Sequence, residues 1–205
     1  LSVLNKNQGL ITTYKTEGDN KMYKKLTITL FAAIISQPVL ASDDVTEARA
    51  LIKQFGSTLK GQLVGAMKEG GPVKALKFCN VRAPGIASDT AASSGWEVGR
   101  TSLKIRSKEN APDAWELGVL EQFESKKASG ADPAKLDFSE VVESNGKKTF
   151  RYMKAIPTEK ACLKCHAAKV SPEVEAELKA LYPDDKARGF KEGDIRGAFS
   201  LSKPL

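Results

Sequence analysis

Apolar residues recur at helical spacing from the first clearly patterned stretch onward. Ala48, Ile52, Phe55, Leu59, Leu63 and Ala66 form one stripe at steps of three and four, which predicts an amphipathic helix over Ser42–Gly70. Asp44 and Glu47 have the spacing of a capping box at its start. Gly70-Gly71 ends it, and Pro72 suits the first turn of a short second helix carrying Val73, Leu76 and Cys79. Ala83-Pro84-Gly85 predicts a break, with another short helix over Ile86–Ser93. Trp96–Leu103 is strand-like. Asn110-Ala111-Pro112 opens a helix whose buried face is Trp115, Val119, Leu120 and Phe123, ending near Gly130. Phe138–Ser144 and Lys147–Ile156 flank Asn145-Gly146, the dipeptide that most strongly signals a tight hairpin. Ser171-Pro172-Glu173 starts a helix to about Tyr182, and Ile195–Ser202 reads as a last strand. Helices followed by a small antiparallel sheet give an α+β class.

The N-terminal region follows other rules. Lys24 and Lys25 precede an apolar run, Leu26–Ile35, and Pro38-Val39-Leu40-Ala41 offers a small-residue cleavage site. This predicts a signal peptide over 22–41, an over-extended gene model over 1–21, and one domain over 42–205. The apolar run falls short of the roughly 17–25 residues of a spanning helix, so stable membrane insertion after cleavage is not expected. Setting the first 41 residues aside lowers the net charge from +7 to +4. Those charges form no basic block, which argues against a nucleic-acid partner.

Cys162-Leu163-Lys164-Cys165-His166 has the C-x-x-C-H spacing of covalent haem c attachment. Two residues between the thiols put both sulfurs on one side of a turn, with the imidazole following directly. Haem c is attached outside the cytoplasm, so the motif and the export signal support one another. Two rivals are weaker. Cys79, Cys162, Cys165 and His166 would make a Cys₃His zinc set, but adjacent Cys165 and His166 strain a tetrahedral site. A thioredoxin-like pair follows a βαβ pattern, whereas here a hairpin precedes. The expected cofactor is one covalent haem c, with Cys162 and Cys165 as thioether sites and His166 as the proximal iron ligand. The chain has one histidine, so bis-histidine ligation within it is excluded. Met67, Met153, Cys79 or an open position remain for the opposite face. A third, unpaired cysteine in an oxidising compartment favours Cys79. Phe55, Phe78, Phe190 and Tyr182 are candidates for haem cover, and Arg100, Lys104 and Arg106 for its propionates.

Lys77-Phe78-Cys79-Asn80, Ala83-Pro84-Gly85-Ile86-Ala87, Arg100–Lys104, Asn110–Glu116, Cys162–His166 and Gly193–Ala198 occur together and in this order. In this the chain resembles a family of exported haem-c domains with a PAS-like fold, found alone or as the sensor half of histidine kinases. The resemblance implies a small antiparallel sheet with a long N-terminal helix and flanking helices. It also implies that Cys79 is the second axial ligand, opposite His166. The expected function is a periplasmic c-type haem protein in electron transfer or redox and gas sensing, with a redox or signalling partner protein. A haem enzyme, peroxidase-like or nitrite-reducing, is the alternative. The N-terminal stripe fits either a homodimer interface or the chain's own sheet.

Overall fold

Glycine chemistry divides the first helix where the sequence places the division. In a computed structural model that describes the backbone of residues 40–205 and side chains from Asp43 onward, helix α1 spans Leu40–Val81 and is kinked at Gly70 (φ −152°, ψ 24°) and Gly71 (φ 67°, ψ −165°). The positive φ at Gly71 suits a residue without Cβ, and Pro72 then begins the second half of α1 without losing a helical hydrogen bond. The predicted upstream segment and signal peptide lie outside the described residues, apart from Leu40 and Ala41.

Two local expectations are corrected. Asp44 and Glu47 do not form a capping box. The helix begins before them, and both carboxylates accept from Lys203 Nζ at 3.0 Å. The break expected at Ala83-Pro84-Gly85 stands, since α1 ends at Val81, but the helix after it begins at Ala83 and not at Ile86. It is α2, Ala83–Ser94, because proline is tolerated in a first turn whose N–H groups lack helical partners.

Strands β1 (Glu97–Thr101), β2 (Asp137–Ser144), β3 (Lys147–Pro157) and β4 (Ile195–Pro204) form one antiparallel sheet in the order β1-β4-β3-β2. The β2–β3 turn has φ 53° at Asn145 and φ 73° at Gly146, the left-handed pair that a two-residue hairpin needs. Helix α3 (Ala114–Ala128) starts at Asp113, which forms a reciprocal capping box with Glu116.

Alternation along the strands loads both faces of the sheet. On one, Val119, Leu120 and Phe123 of α3 pack on Met153, Ala155, Ile195 and Ala198. On the other, Ala48 and Ile52 of α1 pack with Trp96, Phe150, Tyr152 and Leu201. The first part of the N-terminal stripe is therefore used on the chain's own sheet. Phe55 continues it, fully buried and edge-on to Phe199 at 5.5 Å. Beyond the kink, Leu76 meets Val174 and Leu178 of a further helix, Pro172–Leu181. This last cluster carries the end of α1 past the sheet, to the segment that follows β3. Among the described residues no helix is long and apolar enough to cross a membrane.

Candidate functional site

Strand β3 ends at Pro157, and the chain is then pinned. Thr158 donates its N–H to Asp194 O (2.7 Å) and accepts from Gly193 N (2.9 Å). A 3₁₀ turn at Lys160–Cys162 runs into a one-turn helix, α4, at Leu163–His166; the helix Pro172–Leu181 is α5. Cys162 and Cys165, three residues apart on this coil, share one face. Both are half-buried free thiols, as is Cys79. Cys165 packs against the Leu76–Val174–Leu178 cluster. Cys79 lies one turn beyond Leu76 on α1, close enough for its charge to act on Cys165. Burial pushes the Cys79 thiol up, and the guanidinium groups of Arg100, Arg106 and Arg196 pull the other way. The fold thus gathers Cys79, Cys165 and His166 from two distant segments. Met153 is fully buried under α3, in a cluster that contains neither the thiols nor the imidazole.

His166 is oriented by its surroundings. Its Nδ1 lies 2.8 Å from Ala187 O. A carbonyl only accepts, so Nδ1 carries the proton and Nε2 presents its lone pair. Phe190 stands edge-on to the ring at 6.0 Å and donates its N–H to His166 O. Burial first, then the charges of Arg196 and Arg106, push the imidazole down to about 2, so it is neutral. Arg196 Nε approaches Nε2 at 3.4 Å.

Behind the ring lies a nearly dry ion pair. Arg106 forks onto Asp185 at 3.1 and 3.2 Å, their side chains 9% and 7% exposed. Arg106 also donates to Cys165 O (2.7 Å) and Ala187 O (3.4 Å), while Asp185 accepts from Ala187 N (2.9 Å). One pair therefore holds both the thiol turn and the carbonyl that orients His166. Arg106, one of the three candidates for the propionates, is thus already paired with a carboxylate of the chain.

Arg196, absent from the sequence-based candidates, is the main addition. It is the lone charge within the predicted strand Ile195–Ser202, and that isolation is the signal that could have revealed it. Its Nη1 donates to Ser102 Oγ (3.1 Å) and its guanidinium lies over Phe190 at 5.3 Å. Buried Ser102 in turn donates to Arg196 O (2.8 Å) and accepts from Lys104 N (3.1 Å). The close approach depends on Gly197, where a Cβ would stand 2.3 Å from Thr101 O. Arg100 of β1 lies over Phe55 at 5.9 Å, and Lys104 over Phe190 at 5.1 Å. Tyr182 lies under Arg106, at 5.7 Å. Phe78 is half-buried.

Chemically, this neighbourhood offers two thiols on one turn, a neutral imidazole whose Nε2 lone pair meets Arg196 Nε at 3.4 Å, a third thiol and a surplus of cations. Among the described residues no three His, Cys, Asp or Glu side chains come together as ligands for a bare ion, which leaves the Cys₃His alternative without support. An open cleft of about 290 Å³ between β1, β4 and the start of α3 contains neither the thiols nor the imidazole.

Three comparisons with known proteins bear on this arrangement. No curated protein matches the chain. The crystal structure of the cyanobacterial heme-protein Tll0287 matches it with a TM-score of 0.60 at 26% sequence identity, over 80% of this chain and 96% of that one. The sequence model described as Tll0287-like matches residues 10–204, nearly the full length, and the chain belongs to the Tll0287-like family.

Proposed function

We propose that this chain is an exported c-type haem protein. One haem is joined through thioether bonds to Cys162 and Cys165, with the iron held by His166 Nε2 and, opposite it, Cys79. The observation that carries the reading is His166 itself. Its Nδ1 is committed to Ala187 O, so Nε2 keeps a lone pair that a metal would take over from the long contact with Arg196 Nε (3.4 Å), one residue after a pair of thiols on a single turn. Two protein ligands leave most of a metal's coordination positions unfilled, and the four nitrogens of a porphyrin would fill them. The heme-protein relative supports the same class of ligand.

The residues fit such a group in other respects. Cys165 sits at the edge of an apolar cluster, and Phe190 and Phe55 offer aromatic cover. Neutral His166 needs to lose no proton to bind iron. When bound, haem supplies a one-electron iron couple whose potential depends on its axial ligands and on nearby charge.

Electron transfer, or the sensing of redox state or a gas, is the role these residues favour. The only histidine is used as a ligand, so none remains as the acid–base group a peroxidase-like or nitrite-reducing site would employ. The partner is a redox or signalling protein met after export, consistent with the lysines and apolar run ahead of Ser42.

The test is the absorption and EPR spectrum of the purified protein against Cys79→Ala. A low-spin thiolate signature in wild type, lost in the variant, is expected. A high-spin wild type would overturn the Cys79 assignment and favour the enzymatic reading.

A further inference from the structure

Charge in the site does not balance. Arg100, Arg106, Arg188 and Arg196 surround His166 and the thiols, since each acts electrostatically on one or more of Cys79, Cys165 and His166. Among the described residues, two carboxylates are ion-paired with them. Asp185 takes Arg106, and Glu175 takes Arg188. Arg100 and Arg196 are left with no carboxylate, although both are half-buried and burial lowers each guanidinium's hold on its proton. Arg196 Nε and Nη1 are engaged by neutral acceptors, His166, Ser102 and Lys104 O, and its Nη2 makes no hydrogen bond to a described residue. Arg100 makes none at all to a described residue, only an aromatic contact with Phe55.

Two half-buried guanidinium groups side by side without a counter-ion repel one another and lose part of their hydration. Such a pair makes sense as one half of an interaction whose other half is a dianionic ligand. Resting on the haem reading above, we infer that Arg100 and Arg196 receive the two haem propionates, one carboxylate each. The charge count closes: two unmatched guanidinium groups, two carboxylates. The origin of the two arginines agrees with it. Haem carries its vinyl and propionate groups on opposite edges, so the propionate partners should come from elements other than the thioether turn. Arg100 lies on β1 and Arg196 on β4, hydrogen-bonded neighbours in the sheet and separate from α4.

Two features keep the pair in place. Gly197 lets β4 close on Thr101, and Ser102 then ties the Arg196 backbone and guanidinium to the loop after β1. Arg106, although nearer in sequence to Arg100, is unavailable because Asp185 neutralises it. Lys104 is exposed and is not needed for the balance.

The experiment uses the haem-loaded protein with Arg100→Gln, Arg196→Gln, the double variant and the two lysine replacements. Three readouts are taken: haem content, midpoint potential, and the propionate bending bands in resonance Raman. Removing a positive charge beside the ring favours the oxidised state. Each Gln variant should therefore lower the potential and shift one propionate band, and the double variant should do both. The lysine replacements should restore most of the potential but not the bands, because lysine keeps the charge and loses the fork. If a Gln variant fails to load haem, its lysine counterpart is read instead, an altered band supporting the assignment and an unaltered one refuting it. A loaded double variant indistinguishable from wild type would overturn the inference and leave the haem reading intact. A wild type that carries no haem would sink the haem reading itself.

Discussion

The Nδ1 of His166 sits 2.8 Å from the carbonyl oxygen of Ala187, and that carbonyl is itself held by the Arg106–Asp185 pair. The orientation of the imidazole thus depends on a buried ion pair that does not touch it. Asp185→Asn leaves Arg106 charged and unpaired in a nearly dry site, at a cost of about 3–5 kcal/mol. Chemical denaturation should report that loss. In the haem-loaded protein the EPR lines should also broaden as the ring samples more orientations, an effect that a purely global loss of stability would not produce.

Two glycine-to-alanine substitutions should have opposite signs. At Gly197 a Cβ would collide with Thr101 O and Ser102, at a φ of 155°. Gly197→Ala should cost about 1–3 kcal/mol and disturb Arg196 beside it. Gly118, inside α3, has nothing within 4 Å of its would-be Cβ. Gly118→Ala should stabilise by about 0.5–1 kcal/mol. Urea unfolding of the two variants checks both.

The contrast between those glycines shows what the sequence made legible. Features decided by adjacent residues could be read directly: the Asn145-Gly146 hairpin, the Gly70-Gly71-Pro72 division of α1, the α3 face and the apolar periods of the strands. Features decided by partners far along the chain could not. Asp44 and Glu47 have capping-box spacing, but Lys203 competes for both carboxylates and the helix starts earlier. Arg106 looks available until Asp185, 79 residues later, is found against it. The site follows the same division. C-x-x-C-H is a local signal, whereas the part played by Arg196 depends on β4 lying beside β1, a pairing no spacing rule specifies.

Acid sensitivity should trace in part to Asp137. Burial opposes its ionisation, but the Tyr152 hydroxyl at 2.6 Å and the Arg49 guanidinium outweigh that and hold the carboxyl below its usual range. A carboxyl lowered in the folded state contributes stability that is fully present above its unfolded value of about 3.9. That contribution disappears as pH falls through the lower, folded value. Tyr152→Phe should cost about 1–2 kcal/mol at neutral pH. It should also make stability fall less steeply below about pH 4, as measured by denaturant midpoints across the acid range.

If Cys79 is the weaker of two axial ligands, reduction should loosen it, because a thiolate favours ferric over ferrous iron. Carbon monoxide added to reduced wild type should then change the absorption spectrum. Cys79→Ala should respond faster and to lower gas concentrations. An unchanged wild-type spectrum would remove gas sensing from the proposed roles and leave electron transfer.

Covalent haem at Cys162 and Cys165 underlies every reading of the site, and intact-protein mass spectrometry tests it most directly. The chain is produced in a host that matures cytochromes c and purified under denaturing conditions. The predicted result is a red protein whose mass exceeds that of its polypeptide by one haem, with the increment lost in the Cys162→Ala, Cys165→Ala double variant. A colourless wild type with the mass of the bare polypeptide would contradict the account.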